Sequence, residues 1–181
     1  MKALELWSTT VFQTNVASLL NIDEILQEVV TTIPFADNQV QQLEEYIDQL
    51  PLLKQALLLK CKIVQEQLEQ YIGRPLEEYN HASWIFYERN GVGMEPHYHT
   101  GPSFFTATLY LTDSVSPLVI QDPRGYVGRC LPEDMRNKFF ANHRIYPKAG
   151  DIVLFPSHIS HFVATGPQVL RMTIGTDFFF E

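Results

Sequence analysis

Near Tyr79 the hydrophobic period of the chain changes, and this switch constrains the fold more than any other feature. Upstream, apolar residues recur three and four positions apart; downstream they alternate with polar ones in short aromatic segments punctuated by Gly and Pro. Successive side chains of a strand face opposite ways, so a period of two marks sheets with one face turned to a core. Strands are expected at 83–88, 96–100, 104–111, 118–121, 144–146, 152–155, 160–164 and 170–180, with a turn at Asn90-Gly91-Val92-Gly93. About eight strands behind a helical segment fit a mainly β fold, α+β overall: a jelly roll, or double-stranded β-helix, with an N-terminal helical buttress.

Upstream of the switch, Trp7, Thr9 and Val11 suggest an edge strand within 4–16. Asn21 or Asp23 caps a helix carrying Ile22, Ile25, Leu26, Val29 and Val30, which Pro34 breaks. Val40, Leu43, Tyr46, Ile47 and Leu50 predict a second helix over 37–50, ended by Pro51, and a third is expected over 52–71, stopped by Gly73 and Pro75. With 181 residues and 45% hydrophobic content, the expectation is one domain over 1–181, residues 1–75 packing on a core of 76–181.

A formal net charge of −8 without a Lys/Arg cluster argues against nucleic acid or an anionic membrane as partner. Cys61 and Cys130, in a chain without a leader-like start, read as free thiols of a reducing compartment, and the expected location is cytoplasmic. Homo-oligomerisation is left open.

Histidines number only six. His97 and His99, two apart in an extended segment, turn their rings the same way, and the apolar strand at 152–155 delivers His161 from far along the chain. Two ligands from one strand and a third from a distant one can form a metal site with open positions at a barrel mouth. Ten residues on, Arg171 and Thr173 again share a strand face, and a guanidinium beside a hydroxyl suits a carboxylate. His81, His143 and His158 fit no such pattern.

This order of motifs resembles that of the iron(II)/2-oxoglutarate-dependent dioxygenases, which carry His-x-Asp, a distal His and Arg-x-Ser/Thr. More narrowly, His97-Tyr98-His99-Thr100-Gly101-Pro102-Ser103, the strand Thr106–Leu111, Asp122-Pro123-Arg124 and the segment from Gly150 to His161 are similar to a subfamily of 2OG-Fe(II) oxygenases. The resemblance implies Fe(II) held by His97, His99 and His161, and 2-oxoglutarate held by Arg171 and Thr173 with Tyr110 as a further contact. It also implies hydroxylation of a small-molecule or peptide substrate as 2-oxoglutarate is decarboxylated to succinate. Tyr98, Phe104, Phe105 and residues 126–140 would shape the substrate pocket, with Arg124 a weaker contact.

His99 departs from the superfamily pattern, which has Asp there. The stand-in carboxylates are Asp122, Asp151, and Glu95 if Pro96 leaves the alternation intact. Two other readings stand beside this one. Gly91 to His99 with 147–161 also resembles the two cupin motifs, although the glutamate expected soon after His99 is missing. A jelly roll with a degenerate site could instead serve in binding or assembly.

Overall fold

A computed structural model describes residues 9–36, 39–76, 79–124, 132, 134–135 and 142–180. The elements run β1 (Phe12–Asn15), α1 (Ile22–Thr32), β2 (Gln39–Gln42), α2 (Pro51–Ile72), β3 (Tyr79–Glu88), β4 (Met94–His97), β5 (Ser103–Tyr110), β6 (Leu118–Ile120), β7 (His143–Ile145), β8 (Asp151–Pro156), β9 (His161–Val163) and β10 (Arg171–Phe180). A six-stranded sheet, β1-β8-β5-β10-β3-β2, faces a four-stranded one, β4-β9-β6-β7. All pairings are antiparallel. This is the mainly β, jelly-roll architecture expected from the alternating pattern, and β1 lies at a sheet edge as anticipated.

The period of two has a direct physical reading here. On β10, Met172, Ile174 and Phe178 join Leu109, Ile85, Ile152 and Leu154 of neighbouring strands in a core shared with α1 and α2. The α2 residues Leu53, Ala56, Leu57, Val64 and Leu68 fill the other side of that core, so the helices cover the outer face of the larger sheet. The opposite faces of the same strands point between the sheets, where Tyr110, Val153 and Phe155 meet Leu118, Ile120 and Val163 of the smaller sheet. One set of positions therefore fixes the fold and the interleaved set is left for a site.

The expected helix over 37–50 is not what forms. Gln39–Gln42 pairs with β3, Gln39 opposite Tyr87 and Gln42 opposite Trp84, and 3-10 turns follow at Leu43–Glu45 and Ile47–Gln49. Its apolar spacing fits a helical stripe, but the unpaired edge of β3 offers backbone hydrogen bonds that the isolated sequence does not reveal, and this tertiary pairing outweighs local propensity. Val40, placed by the helical reading on the buried stripe, is 51% exposed on the edge strand. Pro51, expected to end that helix, instead opens α2 at its first turn, where its missing N–H costs nothing. Among the described residues no helix is long and apolar enough to cross a membrane. Cys61 is buried and free; Cys130, residues 4–8 of the expected first strand and nearly all of 126–140 lie outside the described residues.

Candidate metal centre

β4 and β9 pair side by side, and their register sets His97 directly opposite His161. His99 follows just beyond the end of β4, its backbone N–H bonded to the carbonyl of Ser157 at 3.0 Å. One nitrogen from each of the three rings lies within 4.8 Å of the others, the only such group among the described residues.

The hydrogen bonds identify which nitrogens are free. His97 Nδ1 meets the Glu95 carbonyl at 2.8 Å, and His161 Nδ1 meets the Ile159 carbonyl at 2.9 Å. His99 Nδ1 lies 2.7 and 2.9 Å from the two carboxylate oxygens of Asp177. Carbonyls and carboxylates accept, so each Nδ1 carries a hydrogen and donates, and Nε2 is the nitrogen that remains to face an ion. Metal-bound histidines are oriented in this way. Burial, with lesser effects from His97 and His99, holds His161 down to about 4, against a smaller opposing effect of its bond to Ile159, so its ring is neutral at physiological pH. Three convergent imidazoles whose Nε2 atoms are not engaged by these bonds suit a divalent transition ion.

None of the three stand-in carboxylates joins the group. Strand β4 carries one extra residue: Met94 pairs with Val163 and His97 with His161, so Met94 and His97 share a face and Glu95 turns outward, exposed. Pro96 thus breaks the alternation that would have aimed Glu95 inward. Asp122 is engaged by the backbone and guanidinium of Arg124. Asp151 is buried where β1 meets β8, accepting from Gln13, Asn15 and the Lys148 N–H. His81, His143 and His158 are exposed and outside the cluster.

The inward side chains of β10 form the floor of the same cavity, which His97, His99, His161, Trp84, Tyr110, Arg171 and Thr173 line together. Thr173 lies opposite Phe86 of β3 and Tyr110 of β5, and burial raises the Tyr110 hydroxyl well above its usual range, keeping it a neutral hydrogen-bonding group. Arg171, 5% exposed, stacks over Phe86 at 4.6 Å and donates from Nε to Glu88 at 2.9 Å. Its Nη2 lies 2.8 Å from the same Glu88 oxygen, but its N–H bonds point elsewhere, so it is buried without a hydrogen-bond acceptor. A buried guanidinium with an unused donor on a cavity wall fits a site for an anionic oxygen ligand.

Sequence reasoning missed three residues. Asp177 shares the face of Arg171 and Thr173 by simple alternation but sits in an aromatic tail that reads as core. Glu88 closes β3, pairs with Arg171 and accepts the Gly93 N–H at 2.6 Å. Gly93 adopts φ 80, and a Cβ there would meet the Val163 carbonyl oxygen at 2.4 Å, so the turn that launches β4 requires glycine. Trp84 leans against His99, ring centroids 5.4 Å apart, and covers Gly175, where a Cβ would lie 2.3 Å from the indole Cε2.

Two facing sheets thus enclose one cavity that three convergent histidines and a buried arginine line together. Residues 82–177, more than half of the chain, match the family described as "Putative 2OG-Fe(II) oxygenase", and the chain belongs to that family. Fe(II) and 2-oxoglutarate are the cofactors that define it. No curated protein sequence matches the chain.

Solved structures share the fold at low identity. A prolyl-4-hydroxylase from Pseudomonas putida is 16% identical with a TM-score of 0.65, the match covering 97% of this chain and 95% of that one. EvdO2 from Micromonospora carbonacea var. aurantiaca, solved with 2-oxoglutarate, is 13% identical with a TM-score of 0.69 over 96% and 87%. HygX from Streptomyces hygroscopicus, solved with iron bound, is 10% identical with a TM-score of 0.61 over 94% and 82%.

Proposed function

We propose that the chain is an Fe(II)- and 2-oxoglutarate-dependent hydroxylase in which His97, His99 and His161 hold the metal through Nε2. In this reading Arg171, Thr173 and Tyr110 take the distal carboxylate of 2-oxoglutarate. The observation that carries it is the commitment of all three Nδ1 atoms to acceptors while the rings converge on one point beside a guanidinium with an unused donor. When bound, iron and co-substrate would supply the redox chemistry, in which dioxygen gives one oxygen atom to succinate as 2-oxoglutarate loses CO2 and the other to a substrate C–H bond.

The chain's own residues bind and orient. The guanidinium of Arg171 offers a planar positive fork, and Phe86 stacked beneath it limits its swing. Thr173 and Tyr110, facing each other across β10 and β5, each bring a neutral hydroxyl that can donate to a carboxylate oxygen. Phe155 packs edge-on against His161 at 4.6 Å and Trp84 leans on His99, so apolar walls keep water from the flanks of the ligand set. Tyr98 and Phe104 are exposed, and in this reading they contact a small-molecule or peptide substrate. Family membership favours this reading over the cupin and assembly alternatives.

The test is an anaerobic titration with Fe(II) and then 2-oxoglutarate. A weak visible charge-transfer band is expected only when both are present, together with a rise in unfolding free energy of about 2.7 kcal/mol at a hundredfold excess over Kd. In air, succinate should form. A chain that takes Fe(II) but shows neither band nor stabilisation with 2-oxoglutarate would refute the assignment.

A further inference from the structure

Three neutral imidazoles offset none of the charge of a divalent ion, whereas the His-x-Asp arrangement places a carboxylate on the metal itself. In this chain a carboxylate stands one step further out, and it touches only one of the three rings. His97 and His161 rest their Nδ1 atoms on uncharged backbone carbonyls; His99 alone is bonded to an anion, with both oxygens of Asp177 in reach.

We propose that Asp177 is the positioning residue of the metal site: it fixes His99 with Nε2 toward the ion and supplies from behind that ring the negative charge the ligand set lacks. The proposal rests on the metal reading above. His99 needs such a partner most, because it lies past the end of β4 and no strand ladder holds its ring. Asp177 is well suited to the task. It belongs to β10, between β5 and β3 in the six-stranded sheet, opposite Thr106 on one side and Ala82 on the other.

The carboxylate is itself oriented. Thr106 Oγ1 donates to Asp177 Oδ1 at 2.6 Å, the Ser157 hydroxyl lies 2.9 Å from Thr106 Oγ1, and the Ser103 hydroxyl lies 2.6 Å from that of Ser157. A chain of hydroxyls thus runs from β5 through the residues after β8 to the carboxylate. Ser157 also anchors the backbone of His99 through its carbonyl, so one short segment restrains both ends of the residue. Outer-shell partners of this kind are worth roughly 10- to 100-fold in metal affinity.

The experiment is a Co(II) titration of the full chain followed by visible absorption, which reports ligand number and geometry as well as affinity. Asp177→Asn keeps the size of the side chain and an acceptor oxygen but removes the charge; Thr106→Val removes the donor that orients the carboxylate. Asp177→Asn should weaken Co(II) about 10- to 100-fold and shift the absorption bands. Thr106→Val should move both in the same direction by less, and it decides the matter if Asp177→Asn does not fold.

A Co(II) affinity within twofold of wild type, with unchanged bands, overturns the proposal and leaves the metal reading standing. So does wild-type affinity in His99→Ala, which would remove His99 from the ligand set. A wild-type chain that binds no Co(II) refutes the metal reading itself, and the role of Asp177 with it. One that binds Co(II) but ignores 2-oxoglutarate refutes only the co-substrate assignment, and the variants still decide on Asp177.

Discussion

Lys60 of α2 lies on the far side of β10 from the histidines and is fully buried; Nζ donates to the Ile174 carbonyl at 3.1 Å and to Thr176 Oγ1. Burial, opposed by smaller attractions from Cys61 and Asp177, lowers its amine from the ordinary 10.5 to about 8. Between those values the unfolded chain binds a proton that the folded chain does not, so stability climbs with pH across that window. The penalty is fully present below pH 8 and gone above about 10.5. At ~1.4 kcal/mol per tenfold change in proton affinity the whole effect is about 3 kcal/mol, and about 2 to 3 kcal/mol of it is released between pH 7 and pH 10.

Lys60→Met fills the same space without a charge, and Thr176 keeps its contact with Ser83 at 2.8 Å. Urea unfolding of both proteins at pH 7 and pH 10 compares them with every other titrating group present in both, Cys61 being the neighbour that also feels the lysine. Relative to the variant, the wild type should gain about 2 to 3 kcal/mol on going to pH 10. Parallel pH profiles, agreeing within about 0.5 kcal/mol, would show that Lys60 keeps an ordinary proton affinity, and the account of its burial would be wrong.

Three further outcomes are expected. Gly175→Ala sets a methyl group into the Trp84 indole and should cost about 1–3 kcal/mol with a change in indole emission; unchanged stability and emission would show that the cavity floor yields freely. Glu88→Gln leaves the Arg171 charge buried without its counterion, so unfolding free energy should fall by about 3 kcal/mol. Part of that loss should return on adding 2-oxoglutarate in the presence of metal, making its stabilising effect larger than in wild type; an equal or smaller effect contradicts the carboxylate role of Arg171. His161→Ala removes the most buried ligand and should lower Fe(II) affinity at least a hundredfold by competition with a chromophoric chelator, a near-normal affinity excluding it from the site.

Part of the candidate site could be read from alternation. Arg171 and Thr173 share a strand face as a period of two requires, whereas in β4 the count slips between Met94 and His97. What escaped depends on pairings across the sequence. Asp177 obeys the same alternation as Arg171, but its meaning appears only when His99, 78 residues away, is brought against it. Glu88 reads as a strand boundary until Arg171 pairs opposite it. The stretch 37–50 was misread for a related reason: an apolar spacing of three and four is equally served by an edge strand followed by 3-10 turns once β3 supplies the partner.

The additional residue in β4 has an effect out of proportion to its size. With plain pairing, counting back two from His97 would bring the side chain of Glu95 round to the ion, and the centre would gain an oxygen ligand and a formal negative charge. The bulge at Pro96 sends that carboxylate to solvent and leaves Met94 on the inner side. In the proposed site an all-nitrogen ligand set is therefore decided by a count along the backbone as much as by residue type, and removing one position from this strand is the smallest edit that would reach the electronic character of a bound ion without touching a histidine.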